Sequence, residues 1–186
     1  LLVIPNNRSK PAPVFIGLNF VGNHTTMTDP NIPLTTAWVS NGWSGARDNR
    51  AHNDQRGLRS PSGKKPRWFI EKAIDRGYAV ATMFYGEIST DRRKGEHAFI
   101  DGVHRGYFKK GQTRPDPNEW AAIAAWAWGL QRGVDYLVKD SDIDNTRIIV
   151  IGHSRLGKAA LLAAAFDERI AMAIPFRSPS LEPAWK

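Results

Sequence analysis

The chain has no cysteine among its 186 residues. That excludes a disulfide framework, a thiolate metal site and a cysteine nucleophile, and it leaves the redox compartment open. No apolar run approaches the ~20 residues of a membrane span, so no membrane partner is expected. Internal repeats and low-complexity segments are absent. The first residues, Leu1-Leu2-Val3-Ile4-Pro5, show neither a start methionine nor the layout of a signal peptide. They read as the start of a segment cut from a longer chain.

Charge is not lacking, but it is unevenly signed. Lys and Arg number 26 against 18 Asp and Glu, a formal charge of +8. Nucleic-acid binders gather such charge on one face or along one helix. Here the densest basic stretches, residues 47–67 and 92–110, are interrupted by acids, glycines and aromatics. A solvated basic surface is the simpler reading, and no nucleic-acid partner is expected. The length is enough for one domain with a real core.

Short apolar runs alternate with helical patterns. Residues 14–20 and 78–85 read as strands, and 68–76 has helical spacing with Gly77 placed to cap it. Asp116-Pro117-Asn118-Glu119 has the layout of a helix start: Asp116 as cap, Pro117 at the first helical position, Glu119 closing the capping box. The helix expected after it carries Trp120, Ile123, Ala127, Leu130, Val134 and Leu137 along one stripe. With Trp126 and Trp128, its first half is apolar all round, as in a helix buried against a sheet. A strand over 147–151, a helix over 156–165 and a strand over 170–174 complete the pattern. Strands alternating with helices argue for a parallel sheet covered on both faces. Two long polar loops, 41–66 and 86–115, carry the aromatics Trp43, Phe99, Tyr107 and Phe108.

The strand over 147–151 runs directly into Gly152-His153-Ser154-Arg155-Leu156-Gly157-Lys158. A serine on a sharp turn between a buried strand and a helix is what a nucleophile elbow requires. The common form is G-x-S-x-G; here the second glycine stands three residues after the serine. A serine hydroxyl needs a base, and in this fold type the triad runs serine, acid, histidine along the chain. The histidines are His24, His52, His97, His104 and His153, and all precede Ser154. His153 is expected to point away from the serine into packing, and His24 to be a hydrogen-bonded turn residue. Of the later acids, Asp167 and Glu168 read as surface or capping residues, and Glu182 has no supporting context. Within the usual order these residues do not complete a triad.

Arg155 follows the nucleophile, where the backbone N–H normally forms half of an oxyanion hole. A guanidinium there adds a charge-assisted donor, although the helix dipole disfavours a cation at that end. Lys158, one turn on, is placed to meet a carboxylate or sugar hydroxyl, or is a plain helix lysine.

At these residues the chain resembles the glucuronoyl esterases, carbohydrate esterase family fifteen, in their bacterial form. Their elbow reads Gly-x-Ser-Arg-x-Gly-Lys, with the glycine displaced as it is here. Gly17-Leu18-Asn19-Phe20 with Gly22-Asn23-His24-Thr25, Gly102-Val103-His104, the stretch 119–128 and Asp142-Ile143-Asp144 carry the likeness further. The resemblance implies an α/β fold, an α/β-hydrolase-like three-layer sandwich with a mostly parallel sheet. It implies a serine esterase that cleaves the ester between lignin alcohols and 4-O-methyl-glucuronic acid of glucuronoxylan. Ser154 would be its nucleophile, Arg155 its oxyanion stabiliser and Lys158 a substrate-binding residue. It implies no metal or organic cofactor, and a secreted or periplasmic location. The alternatives are another carbohydrate or feruloyl-type esterase on the same fold, or a non-catalytic polysaccharide-binding domain. The likeness fades after Pro175. Residues 1–186 are therefore expected to form one partial domain that ends in a divergent tail, 176–186. Its C-terminal strands and catalytic histidine would be missing and the fragment inactive.

Overall fold

The computed structural model describes residues 1–41, 45–58, 68–92, 99 and 101–176. Trp43, His97, Glu182 and the tail beyond Phe176 lie outside them. Five strands form one sheet: β1 (Leu2–Val3), β2 (Ala12–Asn19), β3 (Ala79–Phe84), β4 (Ile143–His153) and β5 (Ile170–Phe176). Their order across the sheet is β1-β3-β2-β4-β5. β1 pairs antiparallel with β3, and the pairs β2/β3, β2/β4 and β4/β5 are parallel.

Helices α1 (Ile70–Ile74), α2 (Tyr85–Ile88), α3 (Ala122–Leu137) and α4 (Arg155–Ala165) join the strands. Successive strand residues point to opposite faces. Ile16 and Met83 face α3, where Gly133 leaves room for both. Phe15, Val80 and Ile151 share a groove on the other face with Ile70 and Ala73 of α1. Helices thus cover both faces, giving the three-layer α/β arrangement that the alternating pattern implied.

The α3 side holds the denser core. Val14, Ile16, Ile148, Val150, Leu130, Val134, Leu156 and Ala159 are fully buried there. Each large aliphatic side chain so buried contributes about 1.5–3 kcal/mol.

The start of α3 departs from expectation. Glu119 does accept a hydrogen bond from the Asp116 backbone N–H, at 2.9 Å, but the pair closes an isolated turn. The helix begins at Ala122, with no side-chain cap. Trp120 therefore lies outside the stripe, stacked on His104 with ring centroids 4.6 Å apart. Nor is the first half buried all round. Trp126 is enclosed, whereas Trp128 is 38% exposed, its ring covered by Arg132 at 5.5 Å.

The chain leaves β2 for β3 on one side, then returns past β2 to β4 on the other. The carboxyl ends of β2 and β4 form the point where the winding reverses, which is where open α/β sheets bind ligands.

Candidate active site

Ser154 sits at that point, as the single residue between β4 and α4. Its φ is 56° and its ψ −127°, a backbone conformation that a side-chain-bearing residue adopts only under constraint. The constraint is visible on both sides. The Ser154 N–H donates to the Phe176 carbonyl at 3.0 Å, and its own carbonyl accepts from Gly157 at 2.9 Å and Lys158 at 3.3 Å. Its hydroxyl makes no helix-capping hydrogen bond. The serine thus caps α4 through its backbone and keeps its side chain available.

Gly152 permits the turn. A Cβ built there would lie 2.1 Å from the Leu156 carbonyl oxygen. No side chain fits, because α4 folds directly back over the end of β4. Gly157 supports the same approach from the helix side, where a Cβ would stand 3.0 Å from the Gly152 oxygen. The displaced glycine of the motif is therefore a packing residue of the helix.

His153 is turned aside, as its position predicted. Its ring lies edge-on to Phe20 at 6.4 Å, and it lines a small cavity with Leu18, Trp68 and Ile151. The same Phe20 ring lies 6.0 Å from the Arg155 guanidinium. Arg155 Nη1 donates to the Asp91 Oδ2 carboxylate in an ion pair whose side chains are only 26% and 19% exposed. Asp91 also accepts from the Tyr85 hydroxyl at 3.5 Å. No motif marks Asp91 in the sequence; it stands in a polar loop between Thr90 and Arg92. Lys158 is exposed on the first turn of α4. Its spacing from Ser154 and Arg155 puts it on their side of the helix.

Beside the serine, the end of β2 is locked by Asn19. Its amide donates to Thr82 Oγ1 at 2.9 Å and Asn23 Oδ1 at 2.7 Å, while its oxygen accepts from the Gly22 N–H at 2.7 Å. Every arm of this buried amide is used, which holds the loop after β2 rigid.

The loops after β2 and β3 enclose a polar cleft of about 890 Å³, lined by Trp38, Asp48, Arg50, Arg92, Asp101 and Arg105 among others. Trp38 packs under Arg92 at 5.2 Å, and Arg92 pairs with Asp101 at 3.3 Å. Asp48 and Asn49 both have positive φ, 55° and 54°, in a tight turn closed by a bridge between Arg47 and Arg50. Asp and Asn tolerate that region better than other side chains.

The other candidates fall elsewhere. Asp167 pairs with Arg169 at the far end of α4, at 2.6 Å, and is held below the ordinary carboxylate range by that hydrogen bond. His24 is fully buried in its turn; burial lowers its pKa, against a smaller opposing effect of Gln55. His104 is also buried and its pKa lowered. It is packed among Phe99, Phe108 and Trp120, with Nδ1 3.3 Å from Ser89 Oγ. Among the described residues no cluster of His, Asp or Glu side chains could hold a metal ion, and no helix is long and apolar enough to cross a membrane.

Comparison with known proteins finds the chain similar to several esterases. Residues 112–184 match the family described as glucuronyl esterase, fungi. The chain is 43% identical over 175 residues to carbohydrate esterase MZ0003 of an unknown prokaryotic organism, an alignment covering 94% of the chain and 38% of that protein. It is 48% identical over 129 residues to 4-O-methyl-glucuronoyl methylesterase 1 of Phanerochaete chrysosporium, covering 64% of the chain and 26% of that protein. The solved glucuronoyl esterase from Solibacter usitatus superposes with a TM-score of 0.75 at 43% identity, over 91% of the chain and 40% of that structure. The chain thus spans about two fifths of the longer of these alignments' partners.

Proposed function

We propose that this chain, a relative of the glucuronoyl esterases of carbohydrate esterase family fifteen, is the nucleophile-bearing part of a serine esterase. Its substrate would be the ester between a lignin alcohol and the 4-O-methyl-glucuronic acid of glucuronoxylan. The observation that carries the reading is Ser154, held in a strained conformation between β4 and α4 with its hydroxyl free of capping.

In this reading Ser154 Oγ attacks the ester carbonyl while a base takes its proton. No histidine follows Ser154 in these residues, so a base in the usual order would come from outside them. The carbonyl oxygen becomes an oxyanion, met by the Arg155 backbone N–H and by the guanidinium nitrogens that Asp91 leaves unengaged. A single donor of that kind is worth about 3–4 kcal/mol in the transition state. The intermediate collapses with departure of the alcohol, which takes up the proton; water then releases the glucuronate from the serine. Lys158, on the same side of α4, contacts the sugar. The polar cleft beyond Asp91 receives the hydroxyl-rich polymer, since its charges of both signs suit a neutral chain better than a polyanion. Such a substrate agrees with a secreted or periplasmic enzyme.

The test is turnover of the full-length protein on benzyl glucuronate beside acetyl and feruloyl esters. Glucuronate turnover that disappears in Ser154→Ala supports the reading. Preference for acetyl or feruloyl esters would replace it with the neighbouring esterase class. Retention on glucuronoxylan without Ser154-dependent turnover would replace it with a binding domain.

A further inference from the structure

The geometry points to Asp91 as the residue that positions Arg155 for oxyanion stabilisation. This rests on the esterase reading above and adds to it a group that no motif marks. Arg155 and Asp91 are 64 residues apart, and the fold brings them together across the mouth of the sheet.

Three features distinguish the pair from an incidental surface bridge. First, both side chains are largely withdrawn from solvent, at 26% and 19% exposure. Surface pairs are weak because water competes and both side chains must be held in one geometry. Here the surroundings do the holding. Second, the arrangement is braced: the Phe20 ring lies 6.0 Å from the guanidinium, and Tyr85, itself edge-on to Phe20 at 5.5 Å, donates to the same carboxylate oxygen. Third, the pairing consumes one arm of the guanidinium. Only Nη1 is engaged by Asp91, and Nε and Nη2 have no hydrogen-bond partner among the described residues. A rigid planar fork anchored at one nitrogen presents the others in a fixed direction, which a lysine could not do.

Asp91 also resolves the electrostatic difficulty at this position. A cation in the first turn of a helix is disfavoured by the dipole. The carboxylate offsets that penalty and draws the side chain away from solvent. Transition-state stabilisation depends on donors being in place before charge develops. Asp91 does that without touching substrate, so it is a positioning residue.

Three measurements test this. In the full-length enzyme, Asp91→Asn should lower kcat on benzyl glucuronate by about 10- to 100-fold while KM stays within about twofold, as expected for small misplacement of a catalytic group. Asp91→Glu should recover part of the loss. In an Arg155→Ala enzyme, guanidinium added to the buffer should restore turnover while Asp91 is present and fail once Asp91→Asn is combined with it. Wild-type kcat in Asp91→Asn, or equal rescue with and without Asp91, overturns the inference. The third measurement is independent of turnover: the Arg155 Nη resonances in the NMR spectrum of the full-length enzyme should be slowly exchanging and should broaden in Asp91→Asn. If those resonances behave as described but no Ser154-dependent turnover exists, the esterase reading has failed and the Asp91 anchor has not. If turnover exists and the resonances are indifferent to Asp91→Asn, the reverse holds.

Discussion

Gly152 and Leu156 approach so closely that a single methyl group would not fit between them: a Cβ on Gly152 would lie 2.1 Å from the Leu156 carbonyl oxygen. The obstacle is backbone in the first turn of α4, so no rotamer change relieves it. Gly152→Ala should abolish soluble expression or lower unfolding free energy by more than about 4 kcal/mol, the range reserved for direct structural conflict. Gly106→Ala, where the added Cβ meets nothing within 4 Å, should stay within about 0.5 kcal/mol of wild type. Urea unfolding of the two variants makes the comparison.

Trp126 ties α3 to the segment after α2. Its Nε1 donates to the buried Ser89 carbonyl at 2.9 Å, and its ring stands edge-on to Tyr85 at 5.1 Å. Trp126→Phe keeps most of the apolar area and leaves that carbonyl without its donor, which should cost about 1–3 kcal/mol. A fall in the urea midpoint with an unchanged slope is the expected signature.

His24 and His104 both have pKa values lowered below 6.5, chiefly because burial disfavours the charged ring. The unfolded chain therefore binds protons at a pH where the folded chain does not. Stability should be full above about pH 6.5 and decline as pH falls below it, by at most about 1.4 kcal/mol per pH unit for each histidine. Thermal unfolding followed from pH 8 to pH 5 measures this. His104→Gln should flatten the acid side of the curve; an unchanged slope would remove His104 from the explanation.

β5 is the outer strand of the described sheet, and Met172 and Phe176 expose 55% and 53% of their surface along it. An edge with free backbone groups and apolar side chains templates pairing with another chain. The 186-residue chain should self-associate in sedimentation experiments, and Met172→Lys with Phe176→Lys should shift it towards monomer. Equal behaviour of the two proteins would show that β5 does not drive association.

Much of the fold was legible in local pattern. The apolar runs that became β2, β3, β4 and β5 are contiguous, α3 carries its apolar residues as a stripe, and burial of one face imposes a period that survives in a single sequence. The elbow was legible too, because its glycines, serine and arginine are adjacent in the chain and the steric demand on Gly152 is local. The start of α3 was not. Asp116 and Glu119 do bond to each other, as the capping pattern implies, yet Trp120 is drawn out of the helix by stacking on His104, a partner that local pattern does not identify.

Residue type and order alone therefore determined the alternating architecture, the placement of Ser154 between a strand and a helix, and the absence of histidine from residues 155–186. Strand order, with β2 set between β3 and β4, and the partnership of Arg155 with Asp91 were decided only by tertiary structure. The physical reason is range. Periodicity and turn sterics act over a few residues, whereas an ion pair between groups 64 positions apart exists only after the sheet has brought two loops to the same end.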